Sequence, residues 1–175
     1  MPDLELRRLT PDDASLLRTL WVDGLQRTPD LFLLTEDELR AISDADFAQR
    51  ICGAVYLGAF ERNILQGFVV FRRGSVERLR HTADIGPLYV VPMMQGRGVG
   101  RSLMKAALDW LVNDGVSQVE LTLDETNAAA LGLYQSLGFQ TFGRRPRSVI
   151  VADQPRTDLL MMKSLDGFDL GLPGT

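Results

Sequence analysis

The 175-residue chain predicts an α/β fold, a sheet with helices on both faces, in a single domain. Three observations predict it. Residues 55–60 and 64–71 are apolar strands separated by Glu61-Arg62-Asn63, a hairpin pattern. Residues 88–101 run from an apolar strand through a glycine-rich turn into an amphipathic helix. Residues 118–124 set Val119, Leu121 and Leu123 against Glu120, Thr122 and Asp124, a half-buried strand, and a short helix follows.

The other elements follow from local chemistry. Residues 4–9 alternate as a strand, and Thr10-Pro11-Asp12-Asp13 reads as a helix start, with Thr10 as cap and two acids facing the dipole. Leu16, Leu17, Leu20 and Trp21 supply that helix's apolar stripe, which breaks at Pro29. Thr35 to Glu38 is a capping box that opens a second helical region, interrupted near Ser43 and ending around Gly53. Residues 72–80 form a polar, basic loop, and residues 82–91 the next strand, with Pro87 removing a ladder donor inside it. Residues 98–114 form a strong helix with Val99, Leu103, Ala107, Leu108 and Leu111 on one side. Residues 127–137 form a short helix closed by Gly138, and 141–143, 148–152 and 158–163 read as closing strands.

Bulk properties exclude several function classes. A formal charge of −4 argues against a general nucleic-acid binder. No apolar run approaches the ~20 residues of a membrane span, and the N-terminus lacks the pattern of a signal peptide. One cysteine, Cys52, fits a reducing cytosol, so a cytoplasmic location is expected. One histidine, His81, leaves no His-based metal cluster, and no G-x-S-x-G elbow accompanies it, so no metal site is expected.

The glycine turn is the chemical centre of the sequence. Backbone N–H groups gathered at a helix N-terminus make an anion site suited to phosphate or pyrophosphate. A P-loop fails because Gln95 stands where its first Gly belongs and Arg101 where its Lys belongs. A dinucleotide fingerprint fails because Arg101 occupies its third glycine. The pattern Gln-x-x-Gly-x-Gly fits in full as Gln95-Gly96-Arg97-Gly98-Val99-Gly100. Asn127-Ala128-Ala129-Ala130-Leu131-Gly132-Leu133-Tyr134 then opens a second helix, followed by Gln135-Ser136-Leu137-Gly138-Phe139.

Together these segments resemble the two main acetyl-CoA motifs of the GNAT superfamily of acetyl-CoA-dependent N-acetyltransferases, in order and spacing. The resemblance is strongest from about Asp84 to Phe142. It implies a mixed, mostly antiparallel sheet flanked by helices, with a splayed pair of parallel strands forming the CoA slot. Residues 1–165 are then a single acetyltransferase domain, and residues 166–175 a frayed tail. Pro87 supplies an independent reason for broken pairing at the slot.

By the family pattern, the backbone of Leu88, Tyr89 and Val90 pairs with the pantetheine arm, and an N–H near Val90 polarises the thioester carbonyl. The N–H groups of Gly96, Arg97, Gly98, Val99, Gly100 and Arg101, following Gln95, hold the pyrophosphate. Arg97 and Arg101 could add charge or serve as ordinary surface residues. Asn127 matches a cofactor-arm contact and equally suits a plain helix N-cap. Tyr134 matches the acid that protonates the departing CoA thiolate; its bland alternative is a core aromatic beside Leu131 and Leu137. A phenol near ~10 giving its proton to a thiol near ~8.5 is uphill by roughly 2 kcal/mol.

The acceptor amine needs a base, because neutralising a lysine-like amine at pH 7 costs about 4.6 kcal/mol. Asp84 is the first candidate, on strand parity sharing a face with Gly86, Leu88 and Val90, provided burial makes it a better base. A structural ion pair is its alternative. Other family members place a Glu on the following strand, a position held here by Thr122, and Glu120 is a further candidate. The expected activity is acetyl transfer from acetyl-CoA to a small-molecule or peptide amine, without nucleic acid, membrane or metal; a homodimer is left open. The rival is an acyl-CoA-binding or sensing module that kept the slot and lost the chemistry.

Overall fold

The two-residue turn Arg62-Asn63 organises the first half of the sheet. In the computed structural model, which describes residues 4–29 and 32–172, both turn residues have positive φ, 49° and 65°. This is the turn whose twist suits a tight hairpin. It joins β2 (Val55–Glu61) to β3 (Ile64–Arg73), and β1 (Leu4–Arg8) pairs antiparallel with β2. With β4 (Thr82–Val90), β5 (Gln118–Asp124), β6 (Gln140–Val151) and β7 (Gln154–Ser164), the sheet has seven strands in the order β1-β2-β3-β4-β5-β7-β6. The β4–β5 ladder is parallel; β1–β2, β2–β3, β5–β7 and β6–β7 are antiparallel. The sheet is therefore mixed and mostly antiparallel, as expected.

The α-helices among the described residues are α1 (Ala14–Arg27), α2 (Glu36–Ala41), α3 (Asp44–Cys52), α4 (Val99–Asn113) and α5 (Ala128–Ser136). The chain packs as two compact units, both of which draw on β4 and α4. The first comprises the chain up to Arg72 together with Pro87–Ala107. Leu17, Trp21 and Leu25 of α1, Leu39 of α2, and Phe47 and Ile51 of α3 share its core with Phe60, Phe68, Val70 and Tyr89. Burying each of the larger side chains contributes roughly 1.5–3 kcal/mol.

The caps in this unit follow the sequence with one change. Thr35 Oγ1 accepts from the Glu38 N–H at 3.2 Å and Glu38 Oε2 accepts from the Thr35 N–H at 2.8 Å, the expected box. Ser43 caps α3 through the Asp46 N–H. At α1 the expected start at Thr10 becomes a short 3₁₀ turn, Pro11–Asp13, and the α-helix begins at Ala14. Thr10 still caps this turn, with Pro11 at its first position, and the Asp13 carboxylate accepts from the Thr10 N–H at 2.8 Å and from both Arg7 terminal nitrogens at 2.9 and 2.7 Å.

The second unit comprises Arg73–Gly86 and the chain from Leu108 onward. Ala83, Ile85, Leu111, Val119, Leu121, Leu123, Phe139 and Met161 are buried in it. The three expected closing strands are two: β6 absorbs 141–143 and 148–151 into one strand, paired with β7 across Ala152-Asp153. The pairing register shifts between Arg145 and Val149, around Pro146. Proline lacks the N–H a ladder needs, and an end strand of the sheet accommodates it in a bulge, so one strand reads in sequence as two.

Candidate active site

In the first unit, the strand end and the glycine turn form one continuous piece. Gly67 of β3 lets two backbones approach closely: a Cβ there would lie 2.7 Å from the Tyr89 carbonyl oxygen and 3.2 Å from the Val90 Cα. The Val91 N–H donates to the Gln66 carbonyl at 2.9 Å. The chain then makes a 3₁₀ turn over Pro92–Met94 and reaches Gln95. Gln95 Nε2 donates to the Val90 carbonyl at 2.9 Å. Its side chain thus braces the turn against the strand, a role the sequence pattern did not specify.

Gly96 and Gly98 have φ of 70° and 84°, the left-handed region that glycine adopts without steric cost. A Cβ on either would meet nothing within 4 Å, so the turn is open on its outer side. The first helical bond of α4 runs from the Ser102 N–H to the Gly98 carbonyl at 2.9 Å. Helix N–H groups ahead of that bond have no intrahelical acceptor. Val99 is buried and anchors the helix start. An open cradle of backbone donors at a helix N-terminus fits a pyrophosphate. Arg97 is exposed, with Nη1 3.2 Å from the Met94 sulfur.

In the second unit, the β4–β5 ladder pairs Thr82 with Gln118, Ala83 with Val119 and Asp84 with Glu120, and runs no further. Gly86 follows with φ of 137°, immediately before Pro87. The break expected at Pro87 is thus present and begins two residues earlier. It also corrects the parity count: alternation holds for Ala83, Asp84 and Ile85, whereas Tyr89 and Val90 beyond the break are both buried.

Asp84 itself departs from expectation. Its strand neighbours Ala83 and Ile85 point inward, leaving Asp84 exposed, so the burial that would make it a better base is absent. It makes no ion pair among the described residues. Its register partner is Glu120, the other carboxylate considered from sequence, and Glu120 Oε1 accepts from Gln118 Nε2 at 2.8 Å. Thr122 is exposed further along β5.

The start of α5 is set by Asp124, whose Oδ1 accepts from the Thr126 N–H at 2.7 Å. Asn127 then caps the helix: its Oδ1 accepts from the Ala130 N–H at 3.1 Å. The cap uses only the oxygen, and the side-chain NH₂ donates to nothing among the described residues. Two turns on, Tyr134 is 9% exposed. Gly138, with φ of 87°, reverses the chain so that the Phe139 ring lies 5.9 Å from the Tyr134 ring. Burial pushes the Tyr134 phenol up to about 12, and its hydroxyl has no hydrogen-bond partner among the described residues. The Tyr134 ring is thus part of the core, and its hydroxyl is uncommitted among the described residues.

The structure also brings in residues that the sequence pattern did not single out. The Tyr89 hydroxyl donates to Asp23 Oδ2 at 2.8 Å, and Asp23 Oδ1 accepts from Arg27 Nε at 2.7 Å. The one sequence signal for this contact is Gly24, an isolated glycine inside a helical pattern. Among the described residues, no cluster of three His, Cys, Asp or Glu side chains is placed to hold a metal ion. No described helix is long and apolar enough to cross a membrane.

Residues 19–139 match the model of the Acetyltransferase (GNAT) family. Mycothiol acetyltransferase of Brachybacterium faecium is 32% identical over 148 residues, covering 82% of this chain and 44% of that protein. The N-alpha-acetyltransferase RimI of Mycobacterium tuberculosis is 38% identical over 96 residues, covering 53% of this chain and 56% of that protein. The chain thus spans about half the length, or less, of the curated relatives it matches. An acetyltransferase of the GNAT family from Streptococcus pneumoniae superposes with a TM-score of 0.82 at 23% identity, covering 93% of this chain and 99% of that one. The structure of yncA from Salmonella typhimurium, solved with its cofactor acetyl-CoA, superposes with a TM-score of 0.77 at 22% identity, covering 98% of each chain. These likenesses establish the fold.

Proposed function

Because this chain belongs to the GNAT acetyltransferase family, we propose that residues 1–165 act as one domain that transfers an acetyl group from acetyl-CoA to a primary amine by direct attack. The observation that carries the reading is the open glycine turn on the end of β4, with its outward-facing cradle at Gly96 and Gly98. In this reading the backbone of Leu88, Tyr89 and Val90 pairs with the pantetheine arm. The N–H groups from Gly96 to Arg101 hold the pyrophosphate, Gln95 braces the turn, and the Asn127 NH₂ contacts the cofactor arm.

Asp84, with Glu120 beside it, receives the proton from the acceptor ammonium, directly or through water. The neutral amine then attacks the thioester carbonyl, whose developing negative charge is met by the N–H near Val90. Collapse of the tetrahedral intermediate breaks the C–S bond, and Tyr134 supplies the proton to the leaving thiolate. A phenol at about 12 makes that transfer harder than an ordinary phenol would: against a thiol near ~8.5 the gap is about 5 kcal/mol. The same desolvation acts on the departing thiolate and raises its proton affinity, which closes the gap.

The relatives' names bring acceptors of two kinds into view, a mycothiol-related small molecule and an N-alpha amine. The test is calorimetry with acetyl-CoA, then CoA-thiol release with an alanine-initiated peptide, tyramine, spermidine and glucosamine. Binding together with amine-dependent release supports the reading; absence of acetyl-CoA binding sinks it. The second reading, an acyl-CoA-binding module without transfer, is favoured by Thr122 at one family base position and by the exposure of Asp84. Its signature is tight acetyl-CoA binding with no release for any amine.

A further inference from the structure

Within the first unit, the Tyr89 side chain makes a contact that the proposed transfer steps do not account for. Tyr89 is 6% exposed, and its ring lies 5.8 Å from Phe32 and 6.5 Å from Phe68. The ring is seated against a notch in α1. A Cβ on Gly24 would lie 2.8 Å from the Phe32 ring and 3.2 Å from the Tyr89 ring. A glycine inside a helix weakens it, so close approach of two rings is what the position requires.

The hydroxyl adds something that volume does not. A phenylalanine would fill the same notch without bringing a polar group into the core. The tyrosine instead aims its O–H at Asp23 Oδ2, 2.8 Å away. Burial first, and then the Asp23 carboxylate, hold this phenol well above its ordinary range, so it stays a donor. Asp23 is itself held by Arg27 Nε at 2.7 Å, and its side chain is 33% exposed. A hydrogen bond of this kind is directional, and it ties one point of β4 to one point of α1.

Tyr89 lies between Leu88 and Val90, the residues whose backbone the proposed function sets against the pantetheine and the thioester. Shifting Tyr89 moves those backbone groups. We propose that Tyr89 and Asp23 are a positioning pair, whose hydrogen bond locks the Leu88–Val90 backbone against α1 and thereby aims the thioester carbonyl at the acceptor amine. Neither side chain touches the reacting atoms. The inference rests on the reading of Leu88–Val90 as the acetyl-CoA strand.

The test uses the full chain and whichever of the four amines above it turns over fastest. Tyr89→Phe keeps the ring and removes the bond, Asp23→Ala removes the acceptor, and Asp23→Asn keeps an oxygen acceptor without the charge. Tyr89→Phe and Asp23→Ala should each lower kcat by about tenfold, as small misplacements of a reacting group do. The double variant should be no worse than either single, because both remove one interaction. Asp23→Asn should retain most of the wild-type kcat, and the acetyl-CoA KM should stay within about twofold throughout.

A purely structural role would lower Tm and leave kcat unchanged well below the transition; that result overturns the inference. Equal losses in Asp23→Asn and Asp23→Ala also overturn it, because the charge itself would then be what the acceptor needs. A wild-type chain that fails to bind acetyl-CoA, or to acetylate any of the amines, overturns the proposed function and this inference together. Wild-type turnover with an unaffected Tyr89→Phe variant overturns this inference alone.

Discussion

Each of the two units buries a tyrosine that the proposed function uses, Tyr89 and Tyr134, and the two differ in what their hydroxyls meet. In both, burial raises the phenol above its ordinary value. Tyr89 in the first unit gives its proton to a hydrogen bond with Asp23. Tyr134 in the second unit has its ring against Phe139 and no hydrogen-bond partner for its hydroxyl among the described residues. A buried phenol with a carboxylate acceptor is a fixed brace. A buried phenol without one keeps its proton uncommitted. Burial by itself does not separate these roles; the partner does.

The largest effect should come from Tyr134→Phe, which removes the uncommitted proton and keeps the ring. Its kcat should fall by about 100-fold or more, with acetyl-CoA affinity by calorimetry nearly intact. A variant with wild-type kcat would make Tyr134 a core aromatic only, and the contrast between the two tyrosines would collapse. A phenol at about 12 also stays protonated through neutral and moderately alkaline pH. The kcat profile should therefore show no loss near pH ~10, where an ordinary phenol titrates. A fall there that vanishes in Tyr134→Phe would break the assignment of the shift.

The next effect concerns the first unit's stability in acid. Hydrogen bonds from Arg7 hold the Asp13 carboxyl down at about 2. Its folded value lies below its unfolded one, so the stabilisation is complete above the unfolded value near 3.8 and is lost as pH falls towards 2. With Arg7 partly exposed, the loss should be about 1–2 kcal/mol, measured by denaturant titration of wild type and Asp13→Asn between pH 5 and 2. Equal pH dependence in the two proteins would remove Asp13 as the cause.

Asp84→Asn should lower kcat by about tenfold, a modest effect because an exposed carboxylate is replaceable by water. An unaltered kcat would transfer the base role to Glu120 or eliminate it. Smallest of all, Gly24→Ala should change stability by about 1 kcal/mol or less, because better helix propensity offsets the strain of moving the Phe32 and Tyr89 rings. Its kcat should fall with that of Tyr89→Phe; an intact kcat would show that the notch serves packing alone.

Local pattern carried much of the molecule. The hairpin at Arg62-Asn63, the Thr35–Glu38 box, the Ser43 interruption, the α4 stripe and the Gly138 stop all depend on residues within a few positions of each other. The glycine turn was equally legible, because its conformation is set by contiguous backbone. The failures have a common cause. Pro146 reads as a break until the strand beside it is known, and then it is a bulge. Asp84 counts onto the face of Val90 until Gly86 at φ of 137° interrupts the alternation. Its expected burial depended on neighbours that counting does not supply.

Periodicity and turn chemistry alone determined the α/β class, and the resemblance carried by the Gln95–Gly100 and Asn127–Tyr134 segments brought in the mixed sheet and the family, since each rests on short-range order along the chain. Only the tertiary structure decided which phenol is committed and which is available, that Gln95 braces Val90, and that Asp84 stands beside Glu120. Those are contacts between residues up to 66 positions apart. A hydrogen bond or a burial is a property of a pair brought together by the fold, and no single position in the sequence carries it.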